Sequence, residues 1–399
     1  MVEQIIMRSG SHSLNNFSFD HIVPTSGEEF PDQVCSCIEQ LQSFIHNEDD
    51  QSYFITQQTF FISANSREEY DKRAAEINKQ LTSTCGSSIP ATSIVAQSPA
   101  LGSDVVLELI CTKATSQNKV IYKSWSGLNY TVIEYEGFKA VHCAGLMGNA
   151  EDTILQASEK AFKAAIAILT QEGLSIHHII RQWNYIESIA WIEELDDADQ
   201  NYQIFNDVRA FYYDQGEFRY GYPAATGIGM DTGGVIIDFI ALSESDQVTI
   251  KPIVNPGQID AYRYSKDVLE GISANKCTPK FERAKLVTIG FRNYIYVSGT
   301  ASILGEKTMH VGDVEKQTQT TIDNINRLFS KENQEKLGLD FDVTKIRFSH
   351  LRVYVKHQED IPKVERICES TLNCNSILFL ESDVCREDLL VEIEGVFTV

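Results

Sequence analysis

The chain has 399 residues, 43% of them hydrophobic and 23% charged, and carries a net charge of -22. That length calls for two or three packed units of roughly 100 to 150 residues each, and the composition is that of a folded globular protein rather than a disordered one. The acidity and the lack of any basic stripe exclude phosphate-backbone binding, no apolar run reaches membrane-span length, and MVEQIIMRSG lacks the apolar core of a secretion signal; the expectation is a cytoplasmic protein without nucleic-acid or membrane partners.

In chain order, the first segment starts weakly. It then reads as a helix in PDQVCSCIEQLQSFI, a strand in YFITQQTFFIS, and a helix in SREEYDKRAAEINKQL with Ser66 and Glu69 placed as a capping box. Strands in PATSIVAQSP and DVVLELICT close it. The second segment repeats the order with FKAVHCAGLM, the helix DTILQASEKAFKAAIAILTQE ended by Gly173, the strand HIIRQWNYI, the helix NYQIFNDVRAFYYD, then PAATGIGM and VIIDFIAL. The third runs from a strand over 294–298 to a helix capped by Asp313, on which Val314, Thr318, Ile322, Ile325 and Leu328 share one apolar face. It continues through KIRFSHLRVYV, a helix opened by Asp360 with Pro362 in its first turn, and the strands SILFLE and LLVEIEGVF. Three copies of a β-β-α-β-α-β-β unit predict an α+β chain with approximate threefold symmetry, divided as 1–115, 116–255 and 256–399.

The nine cysteines form no C-x-x-C pair, which predicts mostly buried reduced thiols and neither a disulfide framework nor a zinc site. His177 and His178 are adjacent and His350 and His357 stand apart, but none fits a metal-binding spacing; no metal and no cofactor are expected. GIGMDTGG at 227–234 lies between two strands rather than before a helix, which rules out a dinucleotide loop.

The third copy, with VSGTASI, a helix bearing Gln317 and Asn324, and the terminal VEIEGV, resembles the Rid/YjgF superfamily of small trimeric proteins with ligand sites at subunit interfaces. The resemblance implies three Rid/YjgF-like (chorismate-mutase-like) units forming a pseudo-trimer, the first degenerate and the third carrying most of the site. Imine-hydrolysing members hold substrate with an arginine in a P-A-R segment. The matching segments here read PAT at 90–92, PAAT at 223–226 and NCNSI at 373–377, so that activity is disfavoured. A closer resemblance is to the chorismatases, cofactor-independent enzymes that split chorismate. It rests on RQWNYI at 181–186, FNDVRA at 205–210, PAATGIG at 223–229, NPGQIDAYRY at 255–264, PKFERA at 279–284, SGTASILG at 298–305, GDVEKQ at 312–317 and EIEG at 392–395, all in the expected order. The stretch SKDVLEGISANKC at 265–277 departs from the pattern and is expected to alter a loop near the site.

Chorismate is a small dianion, and planar arginines hold carboxylates bidentately. The candidates are Arg209, Arg263 and Arg283, of which the resemblance implies Arg209 and Arg283 as clamps. DAYRY reads as a strand whose alternation puts Tyr262 and Tyr264 on one face and Arg263 on the other, with Tyr262 as the candidate contact. Opening the enolpyruvyl ether needs a carboxyl still protonated near neutral pH, hence desolvated. Glu392, between Val391 and Ile393, fits; Glu394 on the same face is its rival, and the resemblance favours Glu392. In chorismatases that aromatise the ring, the resemblance implies a cysteine at the place of Cys385, while Ala301 looks more like the branch that stops at a dihydroxycyclohexadiene carboxylate. The cysteine is given more weight, because a thiol can take part in proton transfer or attack. The expected products are pyruvate and a hydroxybenzoate, most readily the 3-hydroxy isomer; whether the protein is a monomer or a homo-oligomer stays open.

Overall fold

The computed structural model describes residues 17–45, 53–86, 88–100, 102–113, 115–192, 199–269, 276–290, 292–339, 347–374 and 376–398. The N-terminal stretch read for a secretion signal and the centre of the 265–277 departure, residues 270–275, lie outside the described residues.

The first unit comprises β1 (Phe17–Ile22), α1 (Phe30–Ile45), β2 (Tyr53–Ile62), α2 (Arg67–Cys85), β3 (Ala91–Ala96) and β4 (Val105–Lys113). The second comprises β5 (Asn118–Trp125), β6 (Leu128–Tyr135), β7 (Phe138–Met147), α3 (Ile154–Gln171), β8 (Ile179–Glu187), α4 (Asn201–Tyr213), β9 (Ala224–Met230) and β10 (Val235–Leu242). The third begins with β11 (Val248–Ile253), β12 (Ala284–Ile289), β13 (Arg292–Ala301) and the short strands β14 (Ile303–Leu304) and β15 (Lys307–Thr308). It ends with α5 (Val314–Leu328), α6 (Lys331–Leu337), β16 (Arg347–Val355), α7 (Ile361–Thr371), β17 (Ile377–Glu381) and β18 (Val391–Thr398).

The sheets run β1-β4-β2-β3, β5-β6-β7-β10-β8-β9 and β11-β12-β13-β18-β16-β17, so each repeats the same four-strand order, and the second and third add an outer strand pair. The pairs β2/β3, β8/β9 and β16/β17 are parallel in all three. The weak start of the first copy is thus the absence of that outer pair among the described residues. β11 pairs with β12 in the third sheet, so a division at 255/256 cuts off the third sheet's first strand. DAYRY is not a strand: Ala261–Arg263 form a single 3-10 turn, entered from Asp260 in extended backbone.

Helix ends follow local chemistry. Thr153 Oγ1 accepts from Gln156 N at 3.3 Å and Gln156 Oε1 from Thr153 N at 3.1 Å, a full capping box at α3. Asp313 caps α5 through Lys316 N at 3.0 Å, and the five expected apolar-face residues of α5 are all buried. At α2, Ser66 accepts from Glu69 N, but the Glu69 carboxylate reaches Asn65 N at 3.0 Å rather than Ser66, leaving the box half closed. Of the cysteines, only Cys37, Cys111, Cys143 and Cys368 are fully buried; all nine are free thiols. Among the described residues, no helix is long and apolar enough to cross a membrane.

Each sheet packs its helices on the outer face over its own apolar cluster. The inner faces meet in one shared core that includes Phe61 and Val106 of the first unit, Trp183 and Ile236 of the second, and Tyr294 and Tyr354 of the third. Charge is buried at its centre. Arg352 donates from Nε to Glu108 Oε2 at 2.5 Å and from Nη1 to Glu394 Oε1 at 3.0 Å, and Glu394 is also ion-paired with Arg181. Burial by itself would raise the Glu108 carboxyl, but Arg352 and His350 outweigh it and hold the group well below the usual carboxylate range.

Removing one partner of such a network leaves an uncompensated buried charge, which typically costs about 3–5 kcal/mol. Arg352→Met should therefore lower the unfolding free energy measured by urea titration by about that much; a loss below about 1 kcal/mol would show that the network contributes little to stability.

Candidate functional site

The side chains of a strand alternate, so β18 sends Glu392 and Glu394 inward while Val391 and Ile393 join the outer apolar cluster of the third unit. Glu392 pairs with Ala301 on β13 and with Tyr354 on β16. The β13–β18 register shifts between Val297 and Thr300, and this bulge contains Gly299. The Glu392 carboxyl lies directly over Gly299, in the space a Cβ would take.

Glu392 and Glu394 have opposite surroundings. Glu394 accepts from Trp183 Nε1 at 3.0 Å, Arg352 Nη1 at 3.0 Å and the Tyr354 hydroxyl at 2.9 Å, and is bonded by Arg181 and Thr226 as well. Glu392 makes no hydrogen bond to the described residues, and its carboxyl is pushed up to about 8, chiefly by burial and secondarily by the Glu394 charge. Glu394 is fully engaged by donors, while burial holds the Glu392 carboxyl well above the ordinary carboxylate range.

Glu392 lies in the wall of a cleft of about 700 Å³, counted out to its mouth, between the second and third units. From the second unit, Gln200, Tyr202, Gln203 and Asn206 line it along the start of α4. From the third come Tyr264, Phe281, Arg283, Ala301, Cys385 and Arg386. Val268 and Leu269, which open the departing stretch, also line the cleft, and its far end is tied to α4 where Cys277 N donates to Asp207 Oδ1 at 2.8 Å.

Of the residues expected from sequence, Glu392, Cys385, Arg283 and Ala301 converge here. Arg283 donates through Nη2 to the Tyr264 hydroxyl at 2.7 Å and to Ile259 O at 2.5 Å, while its buried Nε has no partner among the described residues. Arg209 is not in the lining. It is buried on α4 one turn beyond Asn206, donates to Asn206 Oδ1, and lies over the Phe205 ring, so it supports a residue of the lining. Tyr262 is also displaced: the 3-10 turn breaks the alternation, and its hydroxyl donates to Asp260 Oδ2 at 3.2 Å while its ring packs on Tyr222. Tyr264 takes the place in the cleft, and Arg263 stays largely exposed beside Asp260. Burial pushes the Cys385 thiol up to about 12, with Glu392 adding to the rise, so it is a thiol and not a nucleophilic thiolate at neutral pH.

Arg386 escaped sequence reasoning, although it adjoins Cys385. Its guanidinium and that of Arg283 each lie 5.5 Å from the Tyr264 ring centre, which groups two cations on one aromatic within reach of Glu392.

Residues 116–241 match the chorismatase FkbO/Hyg5-like N-terminal family. A 3-hydroxybenzoate synthase from Streptomyces hygroscopicus is 34% identical over 249 residues, covering 60% of this chain and 69% of the relative. A chorismatase from Streptomyces rapamycinicus is 36% identical over 224 residues, covering 55% and 63%. A crystal structure of a chorismatase superposes with a TM-score of 0.69 over 97% of this chain and 99% of its own, at 21% identity, and shows the shared fold.

The two arginines separate by experiment. Arg283→Met should weaken binding of a small dicarboxylate, read by calorimetry, by roughly 10- to 100-fold with little change in Tm. Arg209→Met should instead lower Tm, because its cation is buried and bonded within the helix; the reverse pattern would move the carboxylate contact to Arg209.

Proposed function

The chain belongs to the chorismatase family, and on that premise we propose that it converts chorismate to pyruvate and a hydroxybenzoate, the 3-hydroxy isomer above all, with Glu392 as the general acid. The observation that carries this reading is a buried carboxyl, pushed up to about 8 by burial, that makes no hydrogen bond to the described residues and faces a cleft lined by Arg283 and Arg386. An enol ether opens when its methylene carbon takes a proton, and the acid must keep that proton until substrate arrives. Burial supplies this by penalising the carboxylate form.

Arg283 and Arg386 hold the two carboxylates, with the Tyr264 hydroxyl between the Arg283 fork and the cleft; Arg209 acts through Asn206. Protonation of the methylene carbon gives an oxocarbenium ion, which water captures; collapse of the hemiketal releases pyruvate and leaves both ring oxygens as hydroxyls. If the ring then loses one of its two hydroxyls as water, hydroxybenzoate forms, and the water taken up is returned. If it does not, the dihydroxycyclohexadiene carboxylate is the product. Ala301, paired with Glu392, leaves room for the ring beside the acid. Cys385, as a thiol, shapes the ring end and relays a proton rather than attacking.

Incubation with chorismate, followed by chromatography and mass analysis, should show equimolar pyruvate and 3-hydroxybenzoate. Glu392→Gln should keep chorismate binding and lower kcat by about 10² to 10⁴; wild-type turnover by that variant would remove the assignment. Because the acid form is the active one, kcat/KM should be full below about pH 7 and fall as pH rises through about 8.

Cys385→Ala should retain pyruvate release while shifting product toward the dihydroxycyclohexadiene carboxylate. An unchanged hydroxybenzoate fraction in a folded variant would leave the thiol a packing residue, worth roughly 1 kcal/mol of stability.

A further inference from the structure

Glu394 lies outside the lining of the cleft, yet its bonds reach the floor on which Glu392 rests. The Thr226 hydroxyl, from the second unit, donates to Glu394, accepts from Arg181 Nη2 at 2.7 Å, and accepts from Gly299 N at 3.1 Å. Gly299 is the bulge residue beneath the Glu392 carboxyl, and a Cβ there would collide with Glu392 Oε1. One hydroxyl with one donor and two acceptor sites, all used, thus pins the bulge to the anion.

We propose that Glu394 and Thr226 are positioning residues for the acid: Thr226 fixes the Gly299 bulge that seats the Glu392 carboxyl, and the Glu394 charge, one pleat away on the same strand face, keeps the proton on Glu392. The inference rests on Glu392 being the acid. Two residues along a strand span about 6.6 Å, a distance at which a like charge in a protein of effective dielectric near 20 shifts a carboxyl by roughly one to two pH units. The other groups facing the pair are accounted for. Arg181 and Trp183 from β8, and Arg352 and Tyr354 from β16, bind Glu394. Arg283, Arg386, Cys385, Tyr202 and Tyr264 face Glu392 from the cleft, with Arg181 and Arg283 opposing the rise and Glu394 supporting it.

Two measurements on the full chain test this. Infrared difference spectra follow the protonated-carboxyl band that Glu392→Gln removes, without turnover. The pH profile of kcat/KM on chorismate follows the alkaline limb. In Glu394→Gln, both the band and the limb should move about one unit to lower pH with KM nearly unchanged. A uniform loss of rate with band and limb fixed would make Glu394 a purely structural residue and overturn its charge role. Thr226→Val should lower kcat at least tenfold with the band retained, and Thr226→Ser should restore it; equal kcat in both would overturn the positioning role, and this pair decides the matter if Glu394→Gln fails to fold. A band that shifts in Glu394→Gln while the wild type leaves chorismate intact would uphold the electrostatic coupling and refute the proposed reaction instead.

Discussion

The ion pair between Arg181 and Glu394 joins the second unit to the third, and Arg352, bound to both Glu394 and Glu108, carries the connection to the first. Taking these charges out of water is costly, and donors surround both carboxylates: each Glu394 oxygen meets donors from two strands, while Glu108 is held by Arg352 and His350 of β16. The repeat puts a carboxylate at the same place each time: Glu108 follows Val106 by two on β4, Asp238 follows Ile236 on β10, and Glu394 follows Glu392 on β18. Only Glu108 and Glu394 have arginines. Asp238 has the Ser93 hydroxyl and Gly145 N, and burial raises it to about 7, well above an ordinary carboxylate.

That repeat also sets apart the junction that holds the cleft. Where the third unit pairs Glu392 with Ala301, the second pairs Ile236 with Met147, and the first has Val106 in place of the acid. An apolar side chain opposite methionine fills the space that a carboxyl opposite alanine leaves open. The first and second units therefore spend the homologous position on packing, and the shared core gains Val106 and Ile236.

Helix faces, caps and the threefold repetition were legible in the sequence because they depend on neighbours a few residues apart, as the capping of α5 by Asp313 shows. Glu392 was legible from its apolar flanks together with the EIEG resemblance. Arg181 was not, because an arginine in a strand looks the same whether it faces solvent or a carboxylate in another unit, and its partner Glu394 is 213 residues away. Strand alternation puts Tyr262 and Tyr264 on one face and gives no ground to choose between them; the 3-10 turn over Ala261–Arg263 separates the two, and Tyr264 lines the cleft. Arg209 lies one turn behind the lining residue Asn206, and a helix motif gives the face of a residue but not which of two successive turns borders the cleft.

A protein of net charge -22 that binds a dianion and donates a proton to it must satisfy opposed electrostatic demands. Any guanidinium near enough to hold the enolpyruvyl carboxylate also favours ionised Glu392, and Arg283 acts in that sense already. In the proposed reaction, desolvation and the Glu394 charge supply the counterweight, and a dianion that neutralises the arginines as it binds adds to it. An excess of clamping charge would strengthen binding while ionising the donor, which is a physical reason for lining the cleft with Asn206, Gln203 and Tyr202 and keeping Arg209 one turn behind them.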